Sequence, residues 1–138
     1  MLSYVMVGAS DIPLAKRFYS SFLPAMGYVC DEWRGKLIYS IPGTPDQHNG
    51  PSAFYVTPPF DGHPASVGNG TMIAFRLQKH GDVRELHAAA LSSGGTDEGP
   101  PGFRADYGER FYVGYLRDPQ GNKIALFCTN PDEPTRRD

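Results

Sequence analysis

The feature that most narrows what this chain can fold into is an internal repeat. Shifted by 68 residues, the sequence falls on itself in the same order of elements: Tyr4 on Met72, Val5 on Ile73, Val7 on Phe75, Phe18 on Leu86, Leu23 on Leu91 and Gly27 on Gly95. A chain of 138 residues with such a repeat suits two half-sized modules around a shared core, not two independent domains.

In the first copy, residues 3–9 read as a strand that ends at Ser10-Asp11, a helix N-cap pair, with Pro13 in the first turn. Leu14, Phe18 and Phe22 then recur at helical spacing until Pro24 and Gly27 end the run. Three strands follow, at 28–33, 36–41 and 52–57. The second copy opens with a strand at 71–77 and a helix at 82–93, whose Asp82 and Glu85 resemble a capping box and which stops at Gly94-Gly95. A glycine-rich stretch, 94–102, leads to strands at 110–117 and 122–128, joined by the hairpin turn Asp118-Pro119-Gln120-Gly121. The expected fold is α+β: two tandem βαβββ modules, 1–57 and 71–128, a linker at 58–70, and a tail at 129–138 that should fray. Each sheet has one face under its helix and one bare, so the paired modules should form a curved mixed sheet around a trough, the concave shape ligand sites favour.

Period-two alternation turns Tyr4 and Met6, then Met72, Ala74 and Arg76, then Lys123, Ala125 and Phe127 toward that trough. Val5, Val7, Ile73, Phe75, Leu77, Ile124, Leu126 and Cys128 face the helices, and all are apolar. Tyr112 and Tyr115 differ by three and therefore face opposite sides, while Tyr39 and Phe54 are further candidates from the middle strands. A net charge of −2 argues against a dedicated nucleic-acid or anionic-membrane surface. No basic leader and no run of 18 apolar residues is present, and Cys30 and Cys128 lack metal or redox spacing, which suits reduced thiols in a cytoplasmic protein. His48 and His63 read as solvated loop residues, His80 and His87 as packed ones.

The segments Val7–Tyr19, Gly68–Phe75, Gly94–Gly99 and Asp118–Ile124 resemble the glyoxalase/bleomycin-resistance/dioxygenase family, the vicinal-oxygen-chelate superfamily, over nearly the whole chain. The resemblance implies a divalent metal held by a His at the position of Tyr4, a His at that of Met72 and a Glu at that of Ala125, with a further carboxylate near Phe54. None of these four residues is a usual ligand: a phenol, a thioether, a methyl and a phenyl replace them. The resemblance to extradiol dioxygenases makes Tyr115 the inward tyrosine. The expectation is therefore no metal cofactor and no assigned catalytic residue. In its place stands a pocket lined by Tyr4, Met6, Phe54, Met72, Ala74, Arg76, Tyr115, Ala125 and Phe127 that binds a small organic molecule, in the manner of bleomycin-resistance proteins and as a homodimer. The alternative is a glyoxalase-like lyase or isomerase, or a ring-cleaving dioxygenase, with a displaced metal or with Tyr4 or Tyr115 as acid.

Overall fold

A computed structural model describes residues 1–137. Its first half runs β1 (Tyr4–Gly8), α1 (Ile12–Tyr19), a 3-10 turn (Pro24–Met26), β2 (Val29–Trp33), β3 (Lys36–Ser40) and β4 (Ala53–Thr57). The second half repeats the plan with β5 (Met72–Arg76), α2 (His80–Leu91), β6 (Thr96–Phe103), β7 (Tyr112–Arg117) and β8 (Lys123–Cys128). The two four-stranded sheets have matching orders, β1-β4-β3-β2 and β5-β8-β7-β6. In each, the first strand runs parallel to the last, so that Met6 lies opposite Tyr55 and Ala74 opposite Ala125. This is the tandem-module α+β fold that the repeat implied.

Local chemistry explains the helix boundaries. The Asp11 carboxylate accepts from the Leu14 N–H at 3.0 Å and starts α1. That helix ends at Tyr19, so Phe22 lies beyond it in the following turn, although its ring is fully buried. The second helix starts at His80, earlier than the spacing suggested. No capping box forms, because Asp82 sits within the first turn and the N-cap is Lys79, whose side chain makes no capping bond. The Glu133 carboxylate instead accepts from the backbone N–H of His80 at 2.5 Å. The tail expected to fray is thus tied down as far as it is described. Asn130 donates to the Gln78 carbonyl at 2.8 Å, the Arg136 N–H to the Glu109 carbonyl at 2.8 Å, and the Arg136 guanidinium to three further carbonyls. Residue 138 lies outside the described residues.

The glycine-rich stretch, to which no strand was assigned, is mostly strand β6. It pairs with β7 through two register shifts, around Gly99 and between Gly99 and Gly102, and it lies at the sheet edge, where Pro100 and Pro101 forfeit no essential ladder bond.

One core serves both modules. Phe75 of β5 enters the aromatic cluster of the first module, with ring centroids 5.3 Å from Phe54, 5.8 Å from Phe22 and 6.3 Å from Tyr28. A Cβ at Gly95 would stand 2.7 Å from the Phe18 ring, so only glycine lets α1 close onto the end of α2. The β7–β8 turn completes the tie. Asp118, 2% exposed, accepts from the N–H groups of Gln120, Gly121 and Asn122 at 2.8–3.0 Å through one oxygen. Its other oxygen accepts from the Tyr19 hydroxyl at 2.5 Å and the Asn122 amide at 2.9 Å. The Asn122 amide also donates to the Gly8 carbonyl of β1 at 2.9 Å.

The sheets do not merge. Among the described residues no ladder joins β1 to β5, and the two strand edges border a cleft of about 390 Å³ instead of forming one continuous curved sheet. No helix of the described residues is long and apolar enough to cross a membrane.

Candidate functional site

Away from the helices each sheet presents an open face, and the larger hollow lies on the second. A cavity of about 870 Å³ is lined by the 67–72 segment, Tyr107, Tyr115, Arg117, Gly121 and Lys123. Register explains its floor. Tyr115 pairs with Ala125 and Arg117 with Lys123, so Tyr115, Arg117 and Lys123 all project from the face opposite α2. Tyr112 projects the other way and stacks on His80 at 4.2 Å.

Cations flank the Tyr115 ring, with the Lys123 ammonium 5.0 Å from its centroid and the Arg104 guanidinium 5.4 Å away. Burial pushes the Tyr115 hydroxyl above its ordinary value, the neighbouring Tyr107 adds to this, and Arg104 opposes it. At neutral pH this phenol is therefore a hydrogen-bonding group, not a phenolate. Arg117 is partly engaged, donating to Glu98 at 2.6 Å and to the Gly121 carbonyl at 2.9 Å. Lys123 makes no hydrogen bond or ion pair among the described residues, which leaves three ammonium donors at the cavity wall.

The nine residues expected in one trough do not share one cavity. Met72 and Tyr115 line the large hollow. Tyr4, Met72 and Ala74 border the cleft between β1 and β5, and Tyr4 also packs on Tyr55 at 5.1 Å. Met6 lines a separate pocket beneath the 57–66 segment, part of the linker, which is pinned where Ala65 bonds Ser10 and Gln120 at 3.0 Å. Arg76 lies over the Phe127 ring at 4.7 Å and donates to Thr129 at 2.5 Å, and Phe127 stacks on Phe111 at 5.5 Å; neither borders the large cavity. Ala125 is buried at 1% exposure beneath its neighbours.

Phe54 borders the cleft between β1 and β5 from the core side. It pairs with Val5, a core-facing residue, and its ring packs on Tyr19 and Phe75 at 4.9 and 5.3 Å. The open-face residue of β4 is Tyr55, whose place opposite Met6 matches that of Ala125 opposite Ala74.

Sequence reasoning passed over Tyr107 and Arg117 and left Lys123 out of the pocket lining. The alternation had already turned Lys123 inward; a cation beside an inward tyrosine was the available signal. His87 is a packed residue, as expected, with Nε2 3.0 Å from the Tyr115 carbonyl. His48 and His63 sit beside Asp31 and Asp61 on the surface.

The donor set at the positions assigned to a metal by resemblance can be tested directly. Tyr4 and Met72 bring a phenol and a thioether to the cleft, and buried Ala125 brings no donor atom. A hard or borderline divalent ion wants imidazole and carboxylate ligands. These side chains do not fit one.

No family model matches the chain, and no curated protein sequence matches it. Solved structures do. The two-module arrangement places the chain in the class of glyoxalase and bleomycin-resistance folds. A glyoxalase/bleomycin resistance protein from Albidiferax ferrireducens T118 is 36% identical, covers 91% of this chain and 96% of its own, and superposes with a TM-score of 0.77. A glyoxalase-related enzyme from Fulvimarina pelagi (16% identity, 99% and 97% coverage, TM-score 0.69) shares the fold, as does a glyoxalase/bleomycin resistance protein/dioxygenase family enzyme from Burkholderia phytofirmans PsJN (16%, 93% and 98%, TM-score 0.68). The chain belongs to the glyoxalase/bleomycin resistance/dioxygenase family.

Proposed function

We propose that this protein binds a small, flat organic molecule carrying an acidic group, in the cavity of the second module and without a metal at the family position. The observation that carries this reading is the unpaired Lys123 ammonium beside the Tyr115 ring at the wall of a cavity of about 870 Å³. An aromatic ligand can stack or pack along Tyr107 and Tyr115, while Lys123, seconded by Arg117, meets its anionic end. A volume of this order suits a ligand of drug or metabolite size.

The donor chemistry at Tyr4, Met72 and Ala125 supports binding over metal-assisted lyase, isomerase or dioxygenase chemistry. The same reading has the protein act as a homodimer in the cytoplasm. Tyr4, Met6 and Met72, 43–50% exposed, supply apolar surface for a second copy to cover, and the two free cysteines suit a reducing compartment.

A thermal-shift comparison of aromatic carboxylates with their neutral and cationic analogues tests the reading. Binding should add about 2.7 kcal/mol of stability at a ligand concentration one hundred times the dissociation constant. Only the anions should do so, and Lys123→Ala should abolish their preference. Equal stabilisation by cationic analogues, or an unchanged preference in Lys123→Ala, would sink it.

A further inference from the structure

A second cluster lies on the opposite side of the second sheet, under α2. There His80, Cys128 and Glu133 bring one imidazole nitrogen, one thiol sulfur and one carboxylate oxygen within 4.8 Å of one another. From these positions we infer a binding site for a zinc-type divalent cation, separate from the cavity and from the position the family uses.

Three segments build it. Cys128 is the last residue of β8 and, like Ile124 and Leu126, points to the helix side, fully buried. His80 is the first residue of α2, brought next to it because β5 runs parallel to β8 and the Leu77 N–H bonds the Phe127 carbonyl at 2.7 Å. Glu133 comes from the tail, held by its own bond to the His80 N–H and by Asn130 on Gln78. One Glu133 oxygen serves that N–H and the other is left for a ligand bond.

The imidazole is the telling member. It is 8% exposed, its plane is fixed between Tyr112, stacked at 4.2 Å, and Phe103, edge-on at 5.4 Å. Neither of its ring nitrogens hydrogen-bonds to a described residue and neither is sealed from solvent, so an ion can reach them. An imidazole held in a fixed plane with its nitrogens open, beside a thiol and a carboxylate, has the donor arrangement of a metal ligand.

The donor types select the ion. Thiolate and imidazole favour zinc over magnesium or calcium, which want oxygen throughout. Zinc holds such donors at about 2.0–2.3 Å in a tetrahedron, with ligand atoms about 3.5 Å apart, so any contraction of the cluster is at most about 1.3 Å. On binding, the Cys128 thiol releases its proton to solvent and its sulfur replaces a water on the zinc ion. The dication, thiolate, carboxylate and neutral imidazole then sum to zero charge, which suits a buried place. The fourth position falls to water on the Glu133 side, the more exposed one.

The test uses untagged, metal-stripped protein titrated with Co²⁺ as a spectroscopic stand-in, then with Zn²⁺ in competition. One equivalent of Co²⁺ should give a thiolate-to-cobalt charge-transfer band that Zn²⁺ removes. Cys128→Ser should abolish the band and Cys30→Ser should leave it. Glu133→Gln keeps an oxygen for the His80 N–H, so it should fold normally. It should nevertheless weaken Zn²⁺ binding by at least about 10-fold, the lower range for losing even an outer partner of a metal ligand. A missing band, a band that survives in Cys128→Ser, or wild-type zinc affinity in Glu133→Gln would overturn the site.

Discussion

The two modules share a plan and differ in what they expose. On the helix side they match closely: Tyr19 of α1 and His87 of α2 stand 68 residues apart, both are buried, and each spends its polar atom on the second sheet, Tyr19 on Asp118 and His87 on the Tyr115 carbonyl. On the open side they part. The first sheet offers Asp31, paired with His48 at 3.0 Å, beside Trp33, Ile38 and Tyr55 around a pocket of about 350 Å³. The second offers Arg117 and Lys123 around Tyr115 and a cavity more than twice as large. The helix faces are held alike because a shared core tolerates little change of shape. The open faces carry no such constraint, and there the modules differ in their side chains and in the size of their hollows.

The largest expected effect tests whether the two modules really are one structure. Asp118→Ala removes a buried carboxylate with five hydrogen bonds and should cost about 3 kcal/mol or more, since bonds to a charged group are worth about 1.5–3 kcal/mol each but do not add fully. Urea unfolding followed by Trp33 fluorescence, which reports the first sheet, and by far-ultraviolet circular dichroism, which reports both, should shift together. Separated transitions would break the comparison at its base.

Alkaline unfolding sharpens it next. Burial raises the hydroxyls of Tyr19, Tyr28 and Tyr39, all in the first module, and Asp118 adds to the effect at Tyr19. Above the ordinary tyrosine value of about 10 the unfolded chain has lost protons that the folded chain still holds, so stability falls as pH rises. Tyr19→Phe, whatever its cost at pH 7, should flatten that fall in chemical denaturation between pH 9 and 11. An unchanged slope would show that its hydroxyl does not carry the effect.

A smaller effect separates the two open faces. Lys123→Ala should weaken an anionic aromatic ligand about tenfold, on the order of 1.4 kcal/mol, by isothermal titration. Asp31→Asn should leave that affinity within twofold, and loss of affinity in both variants would mean that the faces do not act separately. The smallest is in stability. Asp31→Asn breaks a half-exposed pair with His48 and should change unfolding free energy by less than about 1 kcal/mol.

The repeat made the fold legible, since each copy's apolar periodicity marks which face is buried, and Val5, Val7, Phe75, Ile124 and Leu126 all lie on the helix side. Strand β6 was hidden because two prolines and two glycines suppress every strand signal, and only the free edge of the sheet tolerates them. The start of α2 was misplaced because its orphan N–H is bonded by Glu133, a residue 53 positions away that no local pattern connects to it. The side on which Phe54 lies was not legible because β4 is apolar at nearly every position, which erases alternation; only pairing with Val5 reveals it. The cavity itself was half legible. Alternation turns Lys123 and Met72 to the open face, but Tyr107 and the 67–71 wall come from connecting segments, whose path depends on tertiary contacts such as that of Val67 with Gly121.

The absence of a ladder between β1 and β5 has a mechanical consequence. Two sheets stitched only by side chains can rock against each other without breaking a backbone bond, and Phe75, wedged among Phe22, Tyr28 and Phe54, is the pivot on which they would turn. Phe75 also lines the gap bordered by Tyr4 and Met72, so any such motion would reshape that gap.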